Sequence, residues 1–237
     1  MLGILSLSLL VSCAQKADVD ALDARLKTIE ESVATLEKKS AASAPASSAD
    51  EEAASKLMQA AQAAIKEGDF ATAKGKFADL SAKYAGTRAG KAASHMSAEI
   101  NLIGTDAKPL EVDKWFQGKA DYSGSKATLL VFWEVWCPHC KKELPEMAEK
   151  EAEYRAKGIQ LVGLTKVTKS STDEKVAEFL KEHNVKFPNG KEKDTSMSTA
   201  FNVSGIPAAA LVKDGKVVWR GHPARLTPEL LDKLMAG

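Results

Sequence analysis

The stretch Trp136-Cys137-Pro138-His139-Cys140 decides the fold. It follows an apolar, β-rich run from Thr128 to Trp133 that is typical of a buried strand. It precedes a segment from Lys141 to Arg155 that is rich in helix formers and contains no glycine. The sequence therefore predicts both cysteines at the point where a strand gives way to a helix.

This placement favours redox chemistry at the two cysteines. Cys137 is predicted at the helix N-terminus, where unpaired N–H groups and the helix dipole stabilise negative charge. A thiolate carries such a charge and is the reactive form of cysteine. Cys140 follows one helical turn later, within reach for a disulfide.

Two other uses of a Cys-x-x-Cys pair fit the sequence less well. A structural zinc site would need a second Cys pair or Cys/His pair at zinc spacing, and none follows. Attachment of c-type haem would need a histidine directly after the second cysteine, and that position holds Lys141. We therefore expect neither a metal nor another cofactor.

Several motifs resemble the thioredoxin superfamily. The pattern Phe-Trp-x-x-Trp-Cys-Pro-His-Cys ends at Cys140 and is followed by Pro145. Lys141 to Pro145 looks most like the TlpA/ResA branch of membrane-tethered thiol:disulfide oxidoreductases, while Pro138-His139 is similar to the dipeptide of the DsbA oxidases. Gly205-Ile206-Pro207 resembles the cis-proline loop of the superfamily.

The end of the chain resembles the closing half of the same fold. Ala208 to Val212 and Lys216 to Trp219 are similar to its two final strands, with Asp214-Gly215 as the hairpin turn. The resemblance implies an α/β thioredoxin-like fold over residues 104–237, with a central mixed sheet flanked by helices. An all-α helical region is expected to precede it.

The resemblance also implies roles for the site residues. Cys137 would be the attacking thiolate and Cys140 the resolving thiol. Pro207 would be the cis-proline facing the pair, with Trp136 and Pro138 as supporting residues. Ile206 stands where thioredoxins and TlpA-type proteins usually have Thr, which changes the expected substrate preference.

Two further residues near the pair have open roles. Val131 occupies the place of thioredoxin's buried Asp, so a proton acceptor for Cys140 must come from elsewhere. Glu134 is a candidate, and a plain surface charge is the alternative. His139 would stabilise the thiolate as a cation or donor, or serve as a solvent-facing spacer.

The N-terminus resembles a bacterial lipoprotein signal. Residues 1–12 are too short an apolar run to span a bilayer but fit a signal peptide. Leu10-Val11-Ser12-Cys13 resembles a lipobox, which implies cleavage before Cys13 and lipidation of its thiol. Ala14 then suggests the outer membrane, and the expected location is the periplasm-facing cell envelope. The absence of Lys or Arg before the apolar run departs from the pattern, and an unlipidated export signal is the alternative.

Three segments of different character follow the predicted anchor. Residues 13–39 are expected to form a short coiled coil, because an a/d heptad stripe runs over residues 17–39 and offers a route to a homo-oligomer. Residues 40–50 lack large apolar side chains and are predicted as a flexible Ala/Ser linker. Residues 51–103 are predicted to be helical, with spacings that resemble a tetratricopeptide repeat, and His95 among them is expected on the surface.

Composition and resemblance together set the expected function. The formal net charge is +1, with 33 basic and 32 acidic residues, which gives no indication of nucleic-acid binding. The expected activity is thiol–disulfide exchange with exported protein clients, in the reductase or isomerase direction, coupled to a membrane electron donor or acceptor. The alternatives are a DsbA-like oxidase and a non-catalytic envelope scaffold. A peroxiredoxin is less compatible, because these enzymes place Thr three residues before the reactive Cys and Glu134 stands there.

Overall fold

The computed structural model describes residues 25–33, 46–168 and 170–236. The predicted signal peptide, the predicted lipidation site at Cys13, most of the heptad segment and residues 40–45 of the predicted linker lie outside the described residues. Among the described residues, no helix is both long enough and apolar enough to cross a membrane.

Helices dominate the first half of the described chain, and strands alternate with helices in the second half. The helices are α1 (25–33), α2 (Ser48–Lys66), α3 (Phe70–Lys83), α4 (Arg88–Ile100), α5 (Pro138–Glu149), α6 (Glu151–Ala156), α7 (Asp173–Glu182), α8 (Ser196–Ala200) and α9 (Pro228–Ala236). The strands are β1 (Val112–Gln117), β2 (Ala127–Trp133), β3 (Ile159–Thr165), β4 (Asn189–Glu192), β5 (Ala208–Lys213) and β6 (Lys216–Gly221).

The strands form one six-stranded mixed sheet in the order β1-β4-β3-β2-β5-β6. β2 is central, pairing parallel with β3 and antiparallel with β5. All seven of its residues are buried, which agrees with the near-continuous apolar run in the sequence. The mixed sheet flanked by helices, after a helical N-terminal region, confirms the expected fold class.

The β5–β6 hairpin turns at the predicted dipeptide. Asp214 and Gly215 have φ values of 50° and 72°, and Lys213 pairs with Lys216 across the turn. Positive φ at both central residues is the signature of the two-residue hairpin turns that match strand twist. The chain then returns along β6 at the edge of the sheet.

Helices α2, α3 and α4 pack into a helical region with its own small core. Gly68, with φ of 74°, makes the turn between α2 and α3. The buried core residues are Ala54, Ala61, Ala73, Phe77, Leu80, Ala93 and Ile100. Most of these are alanines, so the helix backbones approach one another closely.

The helical region is docked on the β6 edge of the sheet. Residues 104–107 run alongside β6, with the Gly104 amide donating to the Val217 carbonyl at 2.7 Å and the Val217 amide donating to the Thr105 carbonyl at 3.0 Å. Glu99 of α4 also lies 3.3 Å from the buried guanidinium of Arg220. Burial lowers the pKa of Arg220, and the neighbouring Glu99 carboxylate opposes that shift.

Three features differ from the sequence-based expectation. Helix α2 begins at Ser48 rather than at 51, because the Ser47 side chain caps it by accepting from the Asp50 amide at 3.1 Å. The segment predicted as one helix after Cys140 is divided at Lys150 into α5 and α6. β4 and α8 were not predicted, since Asn189–Glu192 carries few of the residues that favour strands.

Candidate active site

Cys137 sits at the N-cap of α5, directly after the loop that leaves β2. Its Sγ accepts a hydrogen bond from the Cys140 amide at 3.2 Å, as a capping side chain does. Pro138 follows at the first helical position, where its missing N–H costs nothing. The sulfur therefore occupies the end of the helix that favours negative charge.

The two sulfurs are adjacent and both lie below the surface. The Sγ atoms of Cys137 and Cys140 are 2.6 Å apart, and both residues are free cysteines. Cys137 is 3% exposed and Cys140 is 0% exposed. Cys140 is thus the more deeply buried of the two, as expected for the resolving thiol. Cys137, however, is much less exposed than an attacking thiolate is expected to be.

The environment of Cys140 favours its neutral thiol. Burial raises the pKa of Cys140, and its hydrogen bond with Cys137 raises it further. The charge of Glu134 acts in the same direction as a smaller contribution, while a hydrogen bond with the Glu134 backbone opposes it. Cys140 therefore needs to lose a proton before it can act as a nucleophile.

The loop before β5 brings the second predicted motif against Cys137. The Ile206–Pro207 peptide bond is cis. The Cys137 thiol donates to the Ile206 carbonyl at 3.6 Å, although 69 residues separate the two in sequence. Pro207 is buried and Ile206 is half-buried, so the loop covers one side of the cysteine pair.

The other predicted residues surround the pair in different ways. Trp136 is 53% exposed, and its Nε1 donates to the Glu134 carboxylate at 2.5 Å. His139 is exposed on the first turn of α5, and its imidazole has no hydrogen-bond partner among the described residues. Val131 is fully buried in β2. Glu134 is therefore near enough to influence Cys140 but is bonded to the indole.

Sequence reasoning missed a second polar feature on the same sheet. The Glu192 side chain of β4 is buried, and its Oε2 accepts from the Ser198 amide at 2.7 Å. Lys166, just after β3, lies 3.8 Å from Oε1 of the same carboxylate. A charged residue at the end of a polar segment gives no signal of burial, because isolated Glu and Lys are usually exposed.

No group of three or more His, Cys, Asp or Glu side chains in the described part of the chain is arranged to hold a metal ion. The geometry around Cys137 and Cys140 needs none for exchange, because both reacting sulfurs belong to the chain itself. Two adjacent thiols of this kind can cycle between a dithiol and a disulfide.

Comparisons with known proteins match the half of the chain that contains this site. The AhpC/TSA family matches residues 103–220. Thiol-disulfide oxidoreductase ResA of a Bacillus cereus strain is 36% identical over 94 residues, covering 39% of this chain and 53% of that protein. ResA of Bacillus thuringiensis subsp. konkukian (strain 97-27) is 32% identical over 120 residues, covering 50% and 64%. The chain thus spans about half to under two thirds of the length of these relatives.

Two solved structures also resemble part of this chain. A thioredoxin-like protein in its oxidized form has a TM-score of 0.49 and 20% identity, covering 55% of this chain and 95% of that one. A putative thiol:disulfide interchange protein DsbE from Chlorobium tepidum has a TM-score of 0.42 and 24% identity, covering 55% and 96%. The part of this chain from residue 103 to 220 matches the AhpC/TSA family, and its sheet topology is that of a thioredoxin-like fold.

Proposed function

We propose that this protein is a thiol:disulfide oxidoreductase that exchanges disulfides with exported protein clients through Cys137 and Cys140. The observation that carries the proposal is the 2.6 Å approach of the two sulfurs at the N-terminus of α5, beside the Ile206 carbonyl. The likeness to proteins named thiol-disulfide oxidoreductase supports it.

The exchange proceeds in two balanced steps. The Cys137 thiolate attacks one sulfur of a client disulfide, which forms a mixed disulfide and releases the other client sulfur as a thiolate. Cys140 then loses its proton and attacks Cys137 in the mixed disulfide, which releases the second client thiolate. The client gains two electrons and two protons, and the protein is left with a Cys137–Cys140 disulfide.

Two features support exchange with proteins rather than peroxide reduction within the AhpC/TSA family. The position three residues before Cys137 holds Glu134, whereas peroxiredoxins have Thr there. A second cysteine in contact with the first also allows immediate resolution of a mixed disulfide. A DsbA-like oxidase remains the alternative direction for the same pair.

The direction is proposed to be reduction or isomerisation. Pro138-His139 favours a more oxidising pair than thioredoxin, while burial of Cys140 beside Glu134 disfavours its thiolate. We therefore expect a reduction potential between those of thioredoxin and DsbA, about −270 and about −120 mV. A membrane protein would supply or accept the electrons.

Insulin reduction by the full chain tests the activity. The dithiol form should reduce insulin disulfides in the presence of a thiol reductant, and Cys137→Ser should lower the rate by a factor on the order of a thousand or more, because the attacking thiolate is lost. Cys140→Ser should instead accumulate mixed disulfides through Cys137. Equal rates for the wild type and Cys137→Ser would refute the proposal, and a potential at or above that of DsbA on equilibration with glutathione would reverse the direction.

We also propose that the protein is an envelope lipoprotein anchored through Cys13, facing the periplasm and favouring the outer membrane. The lipobox-like residues 10–13 support this proposal. Replacing Cys13 with Ser should move most of the protein from the membrane fraction to the soluble periplasmic fraction, because one acyl group already adds about 0.8 kcal/mol per buried methylene. Retention of the variant in the membrane fraction would contradict lipidation.

The N-terminal segments are proposed to assemble and present the catalytic region. On α1 the side chains of Leu26, Ile29 and Val33 are 54%, 57% and 45% exposed, as expected for a heptad stripe that becomes buried only when it pairs with a second copy of the chain. Residues 40–50 would act as the linker, shortened by the early start of α2. Residues 51–103, with tetratricopeptide-like spacings, would complete the molecule as a docked helical region.

A further inference from the structure

A cleft of about 670 Å³ lies between the helical region and the thioredoxin-like domain. Helix α4 forms one wall with Ser94, His95 and Ala98, and α8 forms the other with Ser198 and Thr199. It is distinct from the cysteine pair, and nothing in the proposed exchange chemistry uses these side chains. Its size suits several residues of an extended polypeptide.

The two walls of the cleft are tied together. The Asn202 side-chain amide, just after α8, donates to the Ala98 carbonyl of α4 at 2.8 Å. Arg220 extends the connection, since its Nε donates to the Phe201 carbonyl at 2.8 Å and its guanidinium lies 3.3 Å from Glu99. The helical region is therefore a fixed wall of the cleft.

The residues that line the cleft are mostly of polar types and include no carboxylate. Most of the lining side chains are hydroxyls, an amide or small groups, and the only ionisable ones are His95 and Lys166. Lys166 lies 3.8 Å from the buried Glu192 beneath it, and its side chain remains 35% exposed. His95 is exposed, and its imidazole makes no hydrogen bond to other described residues. An occupant with carboxylates would therefore meet hydrogen-bond donors and the Lys166 ammonium at the surface of the cleft, with the Glu192 carboxylate buried beneath it.

The cleft ends two residues before the loop residue that contacts the reactive cysteine. Ser204 lines the cleft, and Ile206, two residues later, accepts from the Cys137 thiol. Two extended residues span about 7 Å. The amides of Ser204, Gly205 and Ile206 donate no hydrogen bond to any other described residue, and the side of Gly205 that a Cβ would occupy is open. Unpaired backbone of this kind can pair with an extended peptide.

We propose that this cleft binds an extended, acidic segment of the client polypeptide that flanks the cysteine attacked by Cys137. The helical region thereby supplies one wall of the client site rather than serving only as a spacer. The proposal rests on the exchange activity proposed above and adds the substrate class: polypeptides with Asp or Glu close to their reactive cysteine.

Two matched peptides test the preference. Each carries one cysteine as a mixed disulfide with 2-mercaptoethanol, flanked on both sides by Asp-Ser-Asp in one peptide and by Lys-Ser-Lys in the other. The first rate constant measured is that for oxidation of the full-length dithiol protein by the peptide. It is divided by the rate constant for the reaction of free 2-mercaptoethanol with the same peptide, which corrects for the intrinsic reactivity of each peptide disulfide. The normalised rate should favour the Asp peptide by a factor on the order of ten.

A large side chain placed in the cleft from either wall should remove this preference for the Asp peptide. Ala98→Trp on α4 and Thr199→Trp on α8 should each bring the normalised Asp-to-Lys ratio down to about one, because the indole occupies the cleft. Ala92→Trp, an exposed position of α4 that does not line the cleft, should leave the ratio at the wild-type value. Circular dichroism of each variant shows that α4 remains folded.

The outcomes separate failure of this proposal from failure of the exchange activity. If bis(2-hydroxyethyl) disulfide does not oxidise the Cys137–Cys140 pair at all, the exchange activity is wrong. If it does, and the wild-type ratio is near one, the cleft does not bind acidic clients. The proposal would also be overturned if the normalised Asp-to-Lys ratio stayed at the wild-type value in both cleft-filling variants. The same holds if the ratio fell as much in Ala92→Trp as in those variants.

Discussion

The thioredoxin-like domain and the helical region are packed around side chains of very different size. Trp133, Trp219 and Phe187 are fully buried in the domain. In the helical region four of the seven buried core residues are alanines. The domain is thus stabilised mainly by large apolar surfaces, whereas the helical region depends on close backbone contact and on its docking to β6. Both cysteines belong to the core with the large side chains.

The largest expected effect tests close backbone contact in the helical region. A Cβ on Gly90 would lie 1.9 Å from the Tyr84 carbonyl oxygen. Gly90→Ala should therefore lower the free energy of unfolding by about 3 kcal/mol or more, because backbone atoms cannot move aside as a side chain can. Urea unfolding of the full chain measures the loss.

Gly75 provides the matched control. It lies in the exposed face of α3, with no atom within 4 Å of the added Cβ. Gly75→Ala should raise the free energy of unfolding by up to about 1 kcal/mol, since alanine is the better helix former. Similar effects of the two substitutions would show that the alanine-rich packing is looser than the contacts indicate.

An intermediate effect is expected where the two regions meet. Arg220→Met removes donors from the carbonyls of Phe201 and Asn202 and from the Glu99 carboxylate. We expect a loss of about 2 kcal/mol in the free energy of unfolding, because buried acceptors are left unpaired. Thermal and urea unfolding measure it. Arg225→Met, at an exposed arginine nearby, is the control, and its free energy of unfolding should stay within about 0.5 kcal/mol of the wild-type value. A similarly small change in Arg220→Met would mean that the ion pair does not hold the regions together.

The smallest effect on stability is expected in α1. Leu26→Asp should change the free energy of unfolding by less than about 0.5 kcal/mol, because Leu26 is 54% exposed. It should nevertheless lower the assembled mass in light scattering, since a buried charge in a heptad stripe opposes pairing. Lys27→Asp, off the stripe on the same helix, serves as the control. An unchanged mass in Leu26→Asp would exclude assembly through this helix.

Local sequence patterns predicted the elements that contain the site. The apolar run of β2, the helix formers after Cys140 and the Asp214-Gly215 turn each specify their structure within a few residues. The position of Cys137 at the helix N-cap followed from this order of elements. The placement of the Pro207 loop against the cysteine pair was expected only through the resemblance, because nothing local connects residues so far apart.

The features that escaped prediction depend on distant partners. Asn189 is buried because its side chain accepts from Trp133 Nε1 at 3.0 Å and donates to the Phe187 carbonyl at 3.0 Å. Glu192 is buried because α8 supplies an amide to it. Such polar groups look like loop residues until tertiary structure provides their hydrogen bonds. The cleft likewise combines segments near residues 95, 166 and 200, which no pattern in one segment can join.

The strip of backbone formed by residues 104–107 protects the sheet from aggregation. An unpaired edge strand is a template for strands of other chains. Here the outer side of β6 is already occupied by hydrogen bonds from the connecting segment to Val217 and Gly215. The opposite edge, β1, is interrupted by two register shifts and carries the charged Lys114. Neither edge therefore offers a long, flat surface for the addition of a strand from another chain.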